Sequence, residues 1–201
     1  MKIAIVKYNA GNIRSVDFAL QRLGISAMIT ADPDEIRSAD RVIFPGVGEA
    51  STTMSYLRQH KLDALICDLR QPVLGVCLGL QLMCAYSEEG DTECLGIFPE
   101  IVRKFVPQPD GSTSFKVPHM GWNSISGLKT SLFNHISDED YFYFVHSFYA
   151  TTGVDTAATC NYLVPFSAAL QRDNFYATQF HPEKSGKTGA RILENFINLI
   201  V

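Results

Sequence analysis

The 201-residue chain predicts an α/β fold: a mostly parallel sheet with helices on both faces, followed by a β-rich second half. Three observations lead there. Residues 3–6, 41–44 and 73–76 are short apolar runs without the alternation of half-exposed strands, which suits strands buried on both faces. Segments with apolar residues at helical spacing lie between them, and alternating strand and helix implies a parallel sheet covered on both sides. After residue 91 that alternation stops, and strand-like stretches dominate.

In order, residues 3–6 form a first strand, and Asn9-Ala10-Gly11-Asn12 the loop leaving it. Ile13, Val16, Leu20 and Leu23 then mark a helix that Gly24 is placed to end. Residues 27–30 are a second strand. Asp32-Pro33-Asp34-Glu35 starts a short helix, with a capping side chain, proline in the first turn and an acid three residues on. A third strand, 41–44, is broken by Pro45-Gly46-Val47-Gly48. Leu62, Leu65, Ile66 and Leu69 mark a helix leading to the strand at Pro72. In the second half, residues 97–106, 141–150, 157–162, 167–171 and 176–180 read as strands, with turn chemistry at Arg172-Asp173-Asn174. Residues 107–114 are the most loop-like. Ile192, Leu193, Phe196, Ile197 and Ile200 give a closing amphipathic helix. No linker or repeat divides the chain, so a single domain over 1–201 is expected.

The chain is organised around Gly75-Val76-Cys77-Leu78-Gly79, where the 73–76 strand turns into a helix. Glycines two before and two after the thiol let backbones approach closely, and the turn pushes the Cys77 side chain outward. A helix start also offers unpaired N–H groups and a positive dipole end, which favour a thiolate and can hold a developing oxyanion. A lone cysteine usually packs as a small hydrophobe; the two glycines and the strand-to-helix position favour a nucleophile. In parallel sheets ligands bind beyond the carboxyl ends of the strands, where Cys77 and Gly46-Val47-Gly48 both fall.

Composition narrows the function classes. A net charge of -4 with scattered Lys and Arg gives no basic stripe for nucleic acid. No apolar run approaches the ~20 residues that cross a bilayer, and no export signal is visible, so a cytoplasmic protein that does not bind membranes is expected. Five cysteines, an odd number without a C-x-x-C pair, point to free thiols in a reducing compartment. The histidines have no regular metal-ligand spacing, so no metal and no cofactor is expected. Ser185-Gly186-Lys187-Thr188 ends like a phosphate-binding loop, but His181 occupies the required earlier glycine position.

A thiol on an elbow needs a base. His181 follows the 176–180 strand and so lies at a strand's carboxyl end. Pro182 biases it to an extended conformation, and Glu183 can then project to the same side and orient the imidazole. Nucleophile, base and orienting carboxylate make an activated triad.

With these residues in hand, the chain resembles the triad glutamine amidotransferases. The shared features are the Cys77 elbow, the Pro45-Gly46-Val47-Gly48 loop and Gln179-Phe180-His181-Pro182-Glu183. More narrowly it is similar to the glutaminase subunits of imidazole glycerol phosphate synthase, through Tyr8-Asn9-Ala10-Gly11-Asn12, Pro118-His119-Met120-Gly121-Trp122-Asn123, Tyr143-Phe144-Val145-His146-Ser147 and His181-Pro182-Glu183-Lys184-Ser185. The resemblance covers the chain end to end. It implies a flavodoxin-like, doubly wound fold and hydrolysis of glutamine to glutamate and ammonia for a synthase partner.

Carried over by position, the resemblance implies that Cys77 attacks, His181 moves protons and Glu183 orients His181. The N–H groups of Leu78 and Val47 would form the oxyanion hole, and Gly48, Gln81, Ser147 and Phe148 would line the glutamine pocket, with Glu89 meeting the substrate's ammonium. Phe148 stands where tyrosine is common in relatives. The implied partner is a TIM-barrel cyclase in a heterodimer, making imidazole glycerol phosphate and the carboxamide ribotide for histidine biosynthesis. Proline, glycine and tryptophan within six residues suggest a shaped loop presenting an aromatic. The resemblance turns that loop to the partner, so Asn12, His119, Met120, Trp122, Asn123 and Lys184 form the expected interface. Two alternatives stay open: a glutaminase serving vitamin B6 or GMP synthesis, and a non-catalytic subunit of the same fold.

Overall fold

Alternating side chains on the central strands divide the interior into two cores, one on each face of a single sheet. β1 (Ile3–Val6), β2 (Met28–Thr30), β3 (Arg41–Gly46) and β4 (Val73–Cys77) alternate with α1 (Ile13–Arg22), α2 (Pro33–Arg37), α3 (Ala50–Gln59) and α4 (Leu62–Asp68), and α5 (Leu78–Met83) follows β4. Ile3, Ile5, Ile43, Leu74 and Val76 face the core built with Val16 and Leu20 of α1. Ala4, Val6, Val42, Phe44 and Val73 face the core built with Met54, Leu57, Leu65 and Ile66 of α3 and α4. This period-two split is what a sheet covered on both faces requires. The computed structural model describes residues 1–8, 11–107 and 116–199.

The second half supplies β5 (Tyr86–Ser87), β6 (Thr92–Glu93), β7 (Ile101–Lys104), β8 (His119–Ser124), β9 (Tyr141–His146), β10 (Phe148–Ala150), β11 (Thr156–Asn161), β12 (Pro165–Arg172), β13 (Phe175–Thr178) and α6 (Gly186–Ile197). The main sheet runs β2-β1-β3-β4-β13-β12-β11. Its first five members are parallel, in the 2-1-3-4-5 chain order of flavodoxin-like sheets, and β12 and β11 extend it antiparallel. A small sheet, β10-β7-β5-β6, and the β8–β9 ribbon stand apart from it.

The structure corrects several boundaries. β3 continues through Pro45 and Gly46 to pair Gly46 with Cys77. It tolerates proline because pairing with β1 stops at Ile43, so the missing N–H leaves no ladder bond unmade. The sequence reading assigns no element to 50–59, where α3 forms. Glu49 caps it by accepting from the N–H groups of Ser51 and Thr52, and Ala50, Met54 and Leu57 are buried; the intervening Ser and Thr residues blur that periodicity. The 97–106 strand shrinks to β7, and β5 and β6 are unforeseen. The expected 118–123 loop is a strand, β8, paired residue by residue with β9. The 141–150 strand breaks at Ser147, joining two different sheets. Asn9 and Ala10 of the first loop, residues 108–114 of the long loop and Ile200 lie outside the described residues. Among the described residues, no helix is long and apolar enough to cross a membrane.

Candidate active site

Cys77 ends β4 with φ 55° and ψ -108°, a left-handed conformation that a residue with a Cβ adopts only when its surroundings hold it there. The close approach that holds it is measurable at Gly79, where a Cβ would sit 2.2 Å from the Phe44 carbonyl oxygen on β3. At Gly75 a Cβ would lie 2.9 Å from the Met83 sulfur and 3.1 Å from the Gly79 backbone. β3 and α5 therefore pack too tightly at Gly79 for any side chain but hydrogen, and at Gly75 a methyl group would have to displace the Met83 side chain. The thiol is 6% exposed, and its sulfur lies 4.0 Å from the Val145 carbonyl oxygen and 3.7 Å from the Gln179 amide nitrogen.

β13 delivers the base. It pairs in parallel with β4, with Thr178 opposite Val76, and the chain runs on through Gln179 and Phe180 to His181. The His181 N–H donates to the Tyr143 carbonyl, and the Ser185 hydroxyl donates to the His181 carbonyl at 2.7 Å. The His181 ring is fully buried, and its Nδ1 lies 2.8 Å from Glu183 Oε1. A carboxylate only accepts here, so Nδ1 carries the proton and Nε2 is left for another group. Burial alone pulls the imidazole pKa down; the nearby Cys77 sulfur, then the hydrogen bond and charge of Glu183, outweigh it and raise it to about 10. An imidazolium beside the thiol is thereby favoured. The Asn12 amide also donates to Glu183 Oε1, at 3.3 Å. Tyr8 donates to the Pro45 carbonyl at the end of β3 and, by burial and then the nearby Cys77 charge, has its hydroxyl pKa raised.

A cavity of about 350 Å³ opens over this corner. Val47, Gly48, Leu78, Gln81, Glu89, Ser147 and Phe148, all expected from the sequence, line it together with Cys77 and His181. Glu89 is half-buried and accepts from the Ala50 N–H at the start of α3, 2.9 Å away. Burial, partly offset by that hydrogen bond, raises its pKa. Pro118, Val145 and His146 complete the lining without having been foreseen there, and Gln179, outside the lining, donates to the sulfur. Gln179 sits in the run that carries the resemblance, but no spacing rule ties it to a thiol 102 positions earlier.

The expected interface residues divide. Met120 is 62% exposed and Trp122 55%, side by side on the outer face of β8. Trp122 meets Tyr143 edge-on at 6.0 Å between centroids, and Lys184 Nζ lies 5.9 Å from the centre of that same tyrosine ring. Asn123 is half-buried and donates to the Asn161 carbonyl. Asn12 and His119 are not at the surface. Strand alternation turns His119 inward, opposite Met120, and Asn12 points to Glu183.

Comparison with known proteins adds the family. The profile described as "Glutamine amidotransferase class-I" matches residues 5–199. The chain is 61% identical over 199 residues to the imidazole glycerol phosphate synthase subunit HisH of Bacteroides thetaiotaomicron, covering 99% of this chain and 100% of that one. It is 46% identical to the protein of the same name from Pasteurella multocida, covering 98% of each. Among solved structures, a putative GMP synthase subunit from Thermoplasma acidophilum superposes with TM-score 0.74 at 23% identity, covering 98% of this chain and 92% of that one. A protein described only as a glutamine amidotransferase superposes with TM-score 0.71 at 17% identity, covering 96% of both. At those identities the structural likenesses speak for the fold alone.

Proposed function

The chain belongs to the class-I glutamine amidotransferase family, and on that premise we propose that it is the glutaminase subunit of an imidazole glycerol phosphate synthase, releasing ammonia from glutamine for a cyclase partner in histidine biosynthesis. The observation that carries this reading is the left-handed Cys77 at the end of β4, in one cavity with His181, whose Nδ1 is bound to Glu183 at 2.8 Å. High identity over full length to relatives that bear the synthase-subunit name favours this pairing over vitamin B6 or GMP synthesis.

In this mechanism the Cys77 thiolate attacks the carboxamide carbon of glutamine, and the electron pair moves to the oxygen. The N–H groups of Leu78 and Val47 receive that oxyanion, each donor contributing about 3 kcal/mol in comparable sites. His181 gives its Nε2 proton to the departing nitrogen, ammonia leaves and a thioester remains. His181 then takes a proton from water, whose oxygen attacks the thioester carbon; the C–S bond breaks, and glutamate leaves with the thiolate restored. Glu183 keeps the proton on Nδ1 throughout, so that Nε2 always faces the reacting atoms. Glu89 meets the substrate's ammonium, and Gly48, Gln81, Ser147 and Phe148 enclose its chain. Met120, Trp122 and Lys184 form the exposed face toward the cyclase.

The test is glutamate release from glutamine, measured with and without the cyclase and its aminoimidazole-bearing phosphoribulosyl substrate. Glutamate should form in step with imidazole glycerol phosphate in the reconstituted pair. Cyclisation that proceeds on added ammonium salt but never on glutamine would overturn the reading.

A further inference from the structure

Gln179, Gln81, His146 and His119, all nearly inaccessible to solvent, form hydrogen bonds whose directions can be worked out from one fixed acceptor. We propose that Gln179 is a positioning residue for Cys77, donating its amide N–H to the sulfur and held in that orientation by Gln81, whose own amide is fixed by the Phe148 carbonyl, onto which His146 and His119 converge as a second branch. The proposal rests on the reading of Cys77 as nucleophile.

The fixed point is the main-chain oxygen of Phe148, which can only accept. Gln81 Nε2 lies 2.8 Å from it and His146 Nδ1 2.7 Å. The Gln81 atom facing Phe148 is therefore the amide nitrogen, and His146 carries its proton on Nδ1. The same Gln81 nitrogen is 3.0 Å from Gln179 Oε1, which takes its second hydrogen. Gln179 thus turns its oxygen to Gln81 and its own nitrogen to Cys77 Sγ, 3.7 Å away. Flipping Gln81 would set its oxygen against the Phe148 oxygen; flipping Gln179 would bring two amide nitrogens face to face. On the other branch, His146 Nε2 is left with a lone pair and accepts from His119 Nδ1 at 3.0 Å.

Water cannot loosen this arrangement. Gln179 is fully buried, and Gln81, His119 and His146 are 6% exposed or less. His119 is further clamped between the rings of Tyr162 and Phe144, with centroids at 3.9 and 4.8 Å. Burial pushes both histidines down, His119 to about 4 and His146 to about 3, so the neutral tautomers demanded by the geometry persist at neutral pH. A donor aimed at sulfur stabilises the thiolate and fixes the direction of its lone pairs. The titratable groups facing Cys77 are His181 and Tyr8. Neither is part of the chain that sets Gln179, whose contribution is separable from theirs.

Two measurements on the full chain test this. In the first, alkylation of Cys77 by iodoacetamide is followed by mass spectrometry across pH for the wild type, Gln179→Met and Gln179→Glu. Gln179→Met removes the donor and should slow alkylation at neutral pH severalfold. Gln179→Glu replaces it with an acceptor and should move the profile about one pH unit upward, an approximately tenfold loss at a fixed pH below the transition. Unchanged profiles in the folded variants overturn the proposal. The second needs no variant: in ¹⁵N-labelled protein the side-chain NH₂ signals of Gln179 should shift when Cys77 is alkylated, and unchanged signals on complete alkylation overturn the proposal. Neither readout involves added glutamine, so failure here and failure of the glutaminase reading are distinguishable.

Discussion

The elbow at Cys77 and the outer face of the β8–β9 ribbon are built in opposite ways. At the elbow the packing is dense and dry: Gly79 has no room for a Cβ against Phe44, and His181, Glu183 and Gln179 are all buried. On the ribbon, Met120 and Trp122 remain more than half exposed although their strand is fully paired. Polar groups that need a dry, rigid surrounding have one, whereas two large apolar side chains are left in water. Exposed apolar side chains of this size on a fully paired strand are the kind of surface a partner covers, which agrees with the proposed assignment to a subunit of a larger synthase.

The largest test of that contrast is chemical. Cys77→Ala should cost on the order of 10⁴-fold or more in glutamine-dependent synthesis, while ammonia-dependent synthesis by the paired cyclase persists. His181→Ala should come close to that loss. Glu183→Gln should retain ~10²-fold more activity, because it disturbs only the orientation and charge stabilisation of the imidazole. Steady-state assays of the three variants check the order, and equal losses for Glu183→Gln and His181→Ala would give Glu183 a direct part in the chemistry.

Next comes packing at the elbow. Gly79→Ala forces a methyl group against the Phe44 carbonyl, and overpacking of this kind costs about 2 kcal/mol or more. In a chain of this size that lowers Tm by ~5 °C, readable by thermal denaturation. An unchanged Tm would mean that β3 and α5 separate more freely than their contact implies.

On the ribbon the expectation reverses. Trp122→Ala should leave stability within ~0.5 kcal/mol yet weaken pairing with the cyclase by ~2 kcal/mol, roughly 30-fold in Kd. Trp122 is the sole tryptophan, so its emission follows this face alone. Titration with the cyclase should shift or quench it in a saturable way, and constant emission in a demonstrated complex would remove Trp122 from the interface.

The last test reads only a direction, that of stability against pH. His119 and His146 stay neutral in the fold down to about 4 and about 3, but in the unfolded chain they bind protons near ~6.5. The unfolded state therefore gains protons first as pH falls, and stability declines below that value. His181 acts with the opposite sign. Its folded pKa is raised to about 10, so its contribution is complete below ~6.5 and is lost as pH climbs toward the folded value. Tm should peak near pH ~6.5, and a profile flat from about pH 5 to about pH 9 would contradict both assignments.

Elements whose cause is local were legible in the residues alone. Continuous apolar runs, helical spacing, the Asp32 cap and the glycines around Cys77 yielded the parallel half of the sheet, the position of the thiol at its carboxyl edge and the His181–Glu183 pair two residues apart. Each depends on neighbours within a turn or a strand. What distant segments do to one another was settled by tertiary packing. Pro45 stays in β3 because β1 ends beside it. Residues 119–124 become a strand because β9 offers a complete ladder, and that pairing buries His119 while leaving Met120 and Trp122 outside. Gln179 meets Cys77, and Asn12 meets Glu183, across separations of 102 and 171 positions. No periodicity encodes such contacts, since they arise where the ends of β3, β4 and β13 converge and the ribbon closes over them.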